Sequence, residues 1–412
     1  MPPQAMSGNM EKVLRLAVLR QASDIYLTSG APIQFKIAGV SAPMSEQALT
    51  PAQVRSLLTE VVSADHLAEL DATGELNIRV DRVGVGMFRL SAFRQSGSMA
   101  AVLRCVPSQI PALSSLGLPA TLESLILERR GLRLMVGATG TGKSTTLAAM
   151  LDHRNQSLPG HILTIEDPVE FRFTHKKSVV NQREVGPDTA SVHVALKNAL
   201  RQAPDVILIG EIRDRETMSA AISYALSGHL VVATLHANNS YHALGRVLSF
   251  YPTDARAALL TDLAVGLKAI IAQRLLRCPG GGRAPAVEVM MNTKLIAELI
   301  ERADFNGVKE AMEKSMTAGC QTFEQDLTRL VRSGLVSRDE ALMHADSPGN
   351  FVWRLQHGAG GSAPADALAA PLTDAAVAHA ANPPADQGPA PHRSDRTPAA
   401  ELAPPRFPEL SG

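Results

Sequence analysis

Positions 137–144 read Gly137-Ala138-Thr139-Gly140-Thr141-Gly142-Lys143-Ser144, followed by Thr145. The run meets every fixed position of G-x-x-x-x-G-K-[ST], a phosphate-binding loop. Its glycines let consecutive backbone N–H groups turn into one concavity, and a helix opening at Lys143 adds its positive end. Lys143 would place a cation between β- and γ-phosphates, and the Ser144 hydroxyl would ligate Mg²⁺. ATP and Mg²⁺ are therefore the expected cofactors, held by Gly137, Thr139, Gly140, Thr141, Gly142, Lys143, Ser144 and Thr145.

Transfer of a phosphoryl group to water also needs a carboxylate on the metal side and a group that positions the attacking water. Two apolar runs end in acids: DVILIGEIRDRE at Glu211, and ILTIEDPVEF at Glu166 and Asp167, with Pro168 ending the run. Glu211 stands where a Walker B acid stands and is the expected second metal ligand beside Ser144. An acid after an apolar strand is commonplace, so two of them in one sheet with a complete phosphate loop carry the weight. His229 and His236 flank the run LVVAT. A histidine there is usually structural, yet either could sense the γ-phosphate.

The elements that must position these groups follow from patterning. LRLMV precedes the glycine-rich loop, and HILTI, DVILIG and LVVATL alternate with helical stretches at 143–151, 191–202 and 217–226, predicting a parallel sheet with crossover helices. Upstream, a helix at 12–19 and another over 51–70 accompany the short runs IYLT, IQFKIA, LNIRV and GMFRLSAF, predicting an α+β unit that ends near Val106. The expected organisation is a flexible leader over 1–10, an N-terminal domain over 11–106 and a Pro-rich connector over 107–121. An α/β nucleotide-binding domain, mostly helical beyond residue 255, follows over 122–355. Residues 356–412, rich in Ala and Pro, cannot bury enough apolar area to offset their ordering entropy and read as a disordered tail.

Forty Lys and Arg balance forty Asp and Glu, so no global footprint for nucleic acid or an anionic membrane is expected. Cys105, Cys278 and Cys320 are too few and too scattered for a disulfide framework or a four-thiolate zinc site, and read as reduced thiols. No apolar run is long enough to span a bilayer, and the N-terminus lacks the pattern of a signal peptide. A cytoplasmic protein that meets the membrane only through partners is expected.

Taken in order, the glycine-rich loop, ILTIEDPVEF, ALKNALRQAPDVILIGEIRDRET and SGHLVVATLHANN resemble the Walker A, Asp box, Walker B and His box blocks of secretion and pilus ATPases. Within that superfamily the chain resembles the PilT/PilU group of type IV pilus retraction ATPases. Ala138, Thr141, NQREVG, RQAPDV, MEKSMTAGCQTFEQDL and HADSPGN lean toward PilU, while IRDRET is intermediate. The resemblance covers about 11–355.

It implies a PAS-like N-terminal domain over a RecA-like core, assembled as a homo-hexamer at the cytoplasmic face of the inner membrane. Glu166 would activate water and His229 would be the His-box sensor. Arg89 and Arg104 would reach the phosphates from the N-terminal domain. The implied function is Mg-dependent ATP hydrolysis that drives pilus retraction and twitching, alongside a PilT-type ATPase and a PilC-like platform protein. Two alternatives stay open: the same motor serving type II secretion or DNA uptake, and a low-turnover ATP-binding scaffold.

Overall fold

The computed structural model describes residues 8–37, 39–106, 109–315 and 317–357, and the chain divides into two compact units between Ser108 and Gln109. The start of the expected leader and nearly all of the expected tail lie outside the described residues.

The first unit runs α1 (Asn9–Leu19), β1 (Asp24–Thr28), β2 (Gln34–Ile37), β3 (Val40–Pro43), α2 (Pro51–Thr59), α3 (Ala64–Thr73), β4 (Glu75–Arg82), β5 (Gly86–Gln95) and β6 (Ser98–Val106). Helix α1 buries Met10, Val13, Leu14 and Ala17, spaced as one helical stripe. It starts three residues earlier than expected, because Met10 belongs to the core and its N–H donates to Glu60 Oε2 at 2.8 Å. Residues 9 and 10 thus belong to the helix, with Met10 in the core, and not to a leader. The single helix expected over 51–70 is two. Thr50 and Gln53 form a capping box for α2, and the Ser63 hydroxyl accepts from His66 N to open α3.

The six strands form an antiparallel sheet in the order β3-β2-β1-β6-β5-β4. One face buries Ile25, Leu27, Phe88, Leu90 and Leu103 in the core.

The second unit opens with a short turn at Leu113–Leu116 and α4 (Thr121–Leu127). Leu113 and Leu118 pack into the same core as Met150, so much of the expected connector is part of this unit. Then follow β7 (Gly131–Val136), α5 (Lys143–Ser157), β8 (Gly160–Glu166), β9 (Ser178–Glu184), α6 (Val192–Ala199), β10 (Val206–Ile209), α7 (Arg215–Leu226), β11 (Leu230–Leu235), α8 (Ser240–Ser249) and α9 (Arg256–Gly266). The chain continues through β12 (Leu267–Arg277), β13 (Arg283–Met291), α10 (Lys294–Glu301), α11 (Phe305–Glu313), α12 (Phe323–Arg332), α13 (Arg338–Met343) and α14 (Pro348–His357).

Seven strands are ordered β13-β12-β7-β11-β10-β8-β9, all parallel except β13. Helices cover both faces, which is why β7, β10 and β11 are apolar at nearly every position and wholly buried. The hairpin β12–β13 corrects the expectation of a mostly helical region after residue 255. LKAIIAQRLLR is an apolar run that fits a buried helix or a buried strand equally well, and pairing with β7 decides for strand.

Candidate active site

The order β7-β11-β10-β8 brings four strand ends to one edge. The register Leu235↔Val136, with Ile209 level with both Ala233 and Ile165, aligns their carboxyl ends. Gly137, His236, Glu211 and Glu166 are therefore neighbours at the edge where open α/β sheets bind ligands.

The phosphate loop leaves β7 with Gly137, Gly140 and Gly142 at φ of 152°, 80° and 85°, and Lys143 opens α5. At Gly137 and Gly142 side chains are excluded by space as well as by backbone. A Cβ on Gly142 would stand 2.8 Å from Gln273 Nε2, and one on Gly137 would stand 2.6 Å from the Gln273 carbonyl oxygen. Lys143 Nζ donates to the Gly137 and Ala138 carbonyls, each at 2.8 Å, which folds the side chain back over the loop. Burial lowers its pKa, and the carboxylates of Glu211 and Glu170 work against that shift.

Glu166 is buried at the tip of β8. Its Oε1 accepts from Thr164 Oγ1 at 2.7 Å and Gln182 Nε2 at 3.1 Å. Burial pushes its pKa up, and those two hydrogen bonds oppose the shift. A carboxylate whose proton affinity is raised by burial is a better proton acceptor than a solvated one.

Glu211 is less buried. His236 Nε2 lies 3.1 Å from its Oε1, and Arg213 Nε donates to Oε2 at 2.7 Å. Gly210 lets the two acids approach, since a Cβ there would stand 3.2 Å from the Glu166 Cα, and Gly210 N donates to the Ile165 carbonyl at 2.8 Å. The Thr234 hydroxyl donates to the Gly210 carbonyl and tethers β10 to β11 just before Glu211.

One expectation fails here. His229 precedes β11, whereas the phosphate loop follows β7, and the pairing Leu230↔Gly131 puts His229 at the opposite edge of the sheet. Six strand residues separate the two edges, about 20 Å at the usual rise. His229 Nδ1 lies 3.1 Å from Ser227 Oγ, and its carbonyl accepts from Gly131 N at 2.9 Å, both structural contacts. His236, at the other end of the same strand, occupies the place expected of His229.

A cavity of about 450 Å³ opens beside the loop, lined by Gly137, Ala138, Thr139, His236 and, from α8, His242 and Arg246. Arg89 and Arg104 belong to the first unit. They face each other directly across β5 and β6, on the sheet face opposite the core, and Arg104 Nε donates to the buried Asp24 at 3.0 Å.

The arrangement fits a nucleotide with a divalent cation. The loop leaves no room for a Cβ at Gly137 or Gly142, Lys143 is a cation at its rim, and Ser144 with Glu211 offers one hydroxyl and one carboxylate. That hard oxygen pair suits Mg²⁺, whose other positions are normally filled by phosphates and water. Sequence reasoning missed Gln273, Gln182 and Thr164 as supports of this site. Gln273 had a signal: a polar Gln-Arg pair inside the apolar run AIIAQRLL.

A glycine-rich loop, two strand-end carboxylates and a central strand inserted between them on a parallel sheet define the RecA-like class of P-loop ATPase folds. The chain belongs to the Type II/IV secretion system protein family, whose profile matches residues 4–329. It is 45% identical over 359 residues to the Type IV pilus ATPase PilU of Pseudomonas aeruginosa, covering 87% of this chain and 94% of that protein. It is 37% identical over 343 residues to the Type IV pilus retractation ATPase PilT of the same organism, covering 83% of this chain and all of the relative. The crystal structure of the pilus retraction motor PilT with bound ADP is similar in fold, with a TM-score of 0.77 and 40% identity, covering 82% of this chain and 97% of that one. Among the described residues, no helix is long and apolar enough to cross a membrane.

Proposed function

We propose that this chain is an ATP-hydrolysing motor of type IV pilus retraction, closer to PilU than to PilT. It would act as a homo-hexamer at the cytoplasmic face of the inner membrane, with a PilT-type ATPase and a platform protein as partners. The observation that carries the reading is the convergence of Lys143, Glu166, Glu211 and the glycine cradle on one sheet edge. Identity across most of the length of PilU and PilT supports the pilus assignment.

In this reading the loop N–H groups and Lys143 hold the β- and γ-phosphates, while Ser144 and Glu211 hold Mg²⁺. The metal ion would neutralise charge on the phosphate oxygens. Glu166 takes the proton of the attacking water, and burial, which raises its pKa, favours that role. His236, which lies beside Glu211, would orient that acid and respond to the γ-phosphate. Arg89 and Arg104 would add cationic charge from the first unit, which would couple domain closure to hydrolysis.

Purified protein should hydrolyse ATP only with Mg²⁺ present, and Lys143→Ala or Glu211→Ala should lower turnover by orders of magnitude. Turnover of the unsubstituted protein no higher than that of these variants would instead favour a nucleotide-binding scaffold. In cells, deletion should leave surface pili unretracted, with the unsubstituted gene but not Lys143→Ala restoring twitching.

A further inference from the structure

The phosphate loop is braced from a strand that carries none of the recognised motifs. Gln273 lies on β12, which pairs with β7 so that Ala272 stands opposite Val136, the residue just before the loop. Its side chain is almost wholly buried, and both ends of its amide are engaged. Nε2 donates to the Thr141 carbonyl at 2.8 Å, and Oε1 accepts from Thr146 Oγ1 at 2.8 Å. One planar amide thus ties the distal limb of the loop to the first turn of α5. Thr146 is itself buried, and its N–H donates to the Gly142 carbonyl at 3.0 Å.

The bond to Thr141 has a directional consequence. In a trans peptide the C=O and the following N–H point opposite ways. With the Thr141 carbonyl drawn back to Gln273, the Gly142 N–H is turned away from β12, toward the concave side of the loop. The two glycines complete the fit, since a Cβ on Gly142 would collide with Gln273 Nε2 and one on Gly137 with the Gln273 carbonyl. An apolar residue at 273 would leave the buried Thr146 hydroxyl and the half-buried Thr141 carbonyl short of a partner. The peptide would then be free to turn.

We propose that Gln273 is a positioning residue for nucleotide binding, holding the Thr141–Gly142 peptide and the start of α5 so that the loop N–H groups are preset for the β-phosphate. This rests on the reading of the site as an ATP-hydrolysing one. Because the loop grips the β-phosphate in substrate and product alike, the residue acts on binding more than on the chemical step.

The test uses the full-length protein with a fluorescent ADP analogue for affinity, steady-state ATPase assays, and thermal midpoints with and without ADP. Gln273→Leu should weaken ADP binding about tenfold or more and raise KM in parallel. It should lower kcat by no more than about threefold and shrink the ADP-induced rise in midpoint. Thr146→Val, which removes only the second bond, should weaken ADP binding about threefold. Gln273→Glu keeps the acceptor for Thr146 but donates to the Thr141 carbonyl only when protonated. Its ADP affinity should therefore improve as pH falls from 8 to 6, with no such gain in the unsubstituted protein.

Thr146→Val and Gln273→Glu decide the matter if Gln273→Leu does not fold. ADP affinity within twofold of the unsubstituted protein in the folded variants, or a fall in kcat at unchanged KM, would overturn the proposal. If the unsubstituted protein binds no ADP, the reading of the site itself fails, a result separable from either.

Discussion

The two edges of the seven-stranded sheet both carry charged side chains and use them in opposite ways. At the amino edge, Arg133 is fully buried and its guanidinium donates to Glu128 and to the Arg130 and Gly131 carbonyls. Arg154 donates to the Ile126 and Glu128 carbonyls, and Asp205 accepts from His161 N. Each of these charges closes a backbone loop. At the carboxyl edge, Lys143 donates to the phosphate loop, Glu211 meets His236 and Arg213, and Glu166 accepts from Thr164 and Gln182. The difference is geometric. At this end parallel strands turn into helix N-termini, whose free N–H groups and positive dipole ends favour an anionic ligand. The β11 histidines show the same division: His229 caps a turn, and His236 meets Glu211.

If this contrast is right, substitutions at the two edges should separate activity from stability. The largest effect is expected for Glu166→Gln, which should lower kcat about a thousandfold, in the range of a lost general base, while ADP affinity stays within a few fold. Equal losses of kcat and ADP affinity would mean that Glu166 shapes the pocket instead. Arg133→Met should do the reverse, costing about 2 kcal/mol in denaturant unfolding because it leaves the Arg130 and Gly131 carbonyls without their donor. Turnover per folded molecule should stay near that of the unsubstituted protein.

A third expectation concerns Glu288 on β13, which accepts from Ser240 N and Oγ at the start of α8, the helix that follows His236. Burial pushes its pKa up to about 7, the Ser240 bonds oppose that, and Asp346 and Arg274 act in opposite directions. The folded pKa lies above the unfolded one, so the protonated acid favours the native state. That contribution is complete below about pH 4.5 and is lost as pH rises through about 7, a span worth about 3 kcal/mol. The thermal midpoint should accordingly fall between pH 5 and 8, and Glu288→Gln should flatten the fall. The smallest effect is the comparison along β11. His236→Ala should reduce turnover about tenfold, and His229→Ala less than twofold, in the same ATPase assay. A reversal of that order would mean that the amino edge of one chain serves the site of another.

Much of the site is legible without coordinates because its parts are local in the chain. The loop from Gly137 to Ser144 is one contiguous string whose conformation and chemistry follow from its own glycines, lysine and hydroxyl. Glu166 and Glu211 announce themselves as acids at the ends of apolar runs, and the alternation of those runs with helices sets the parallel sheet. What the chain does not spell out is who stands beside whom. The direction of β11 against β7 decides between His229 and His236, and that is a matter of cross-strand register. Whether LKAIIAQRLLR is helix or strand depends on the open edge of β7, a partner more than 130 residues upstream. Gln273 becomes a support of the phosphate loop only through that pairing. Local motifs determined the chemistry available to this protein; only tertiary pairing decided which side chains share the edge where it is done, because register is set by contacts distant in sequence.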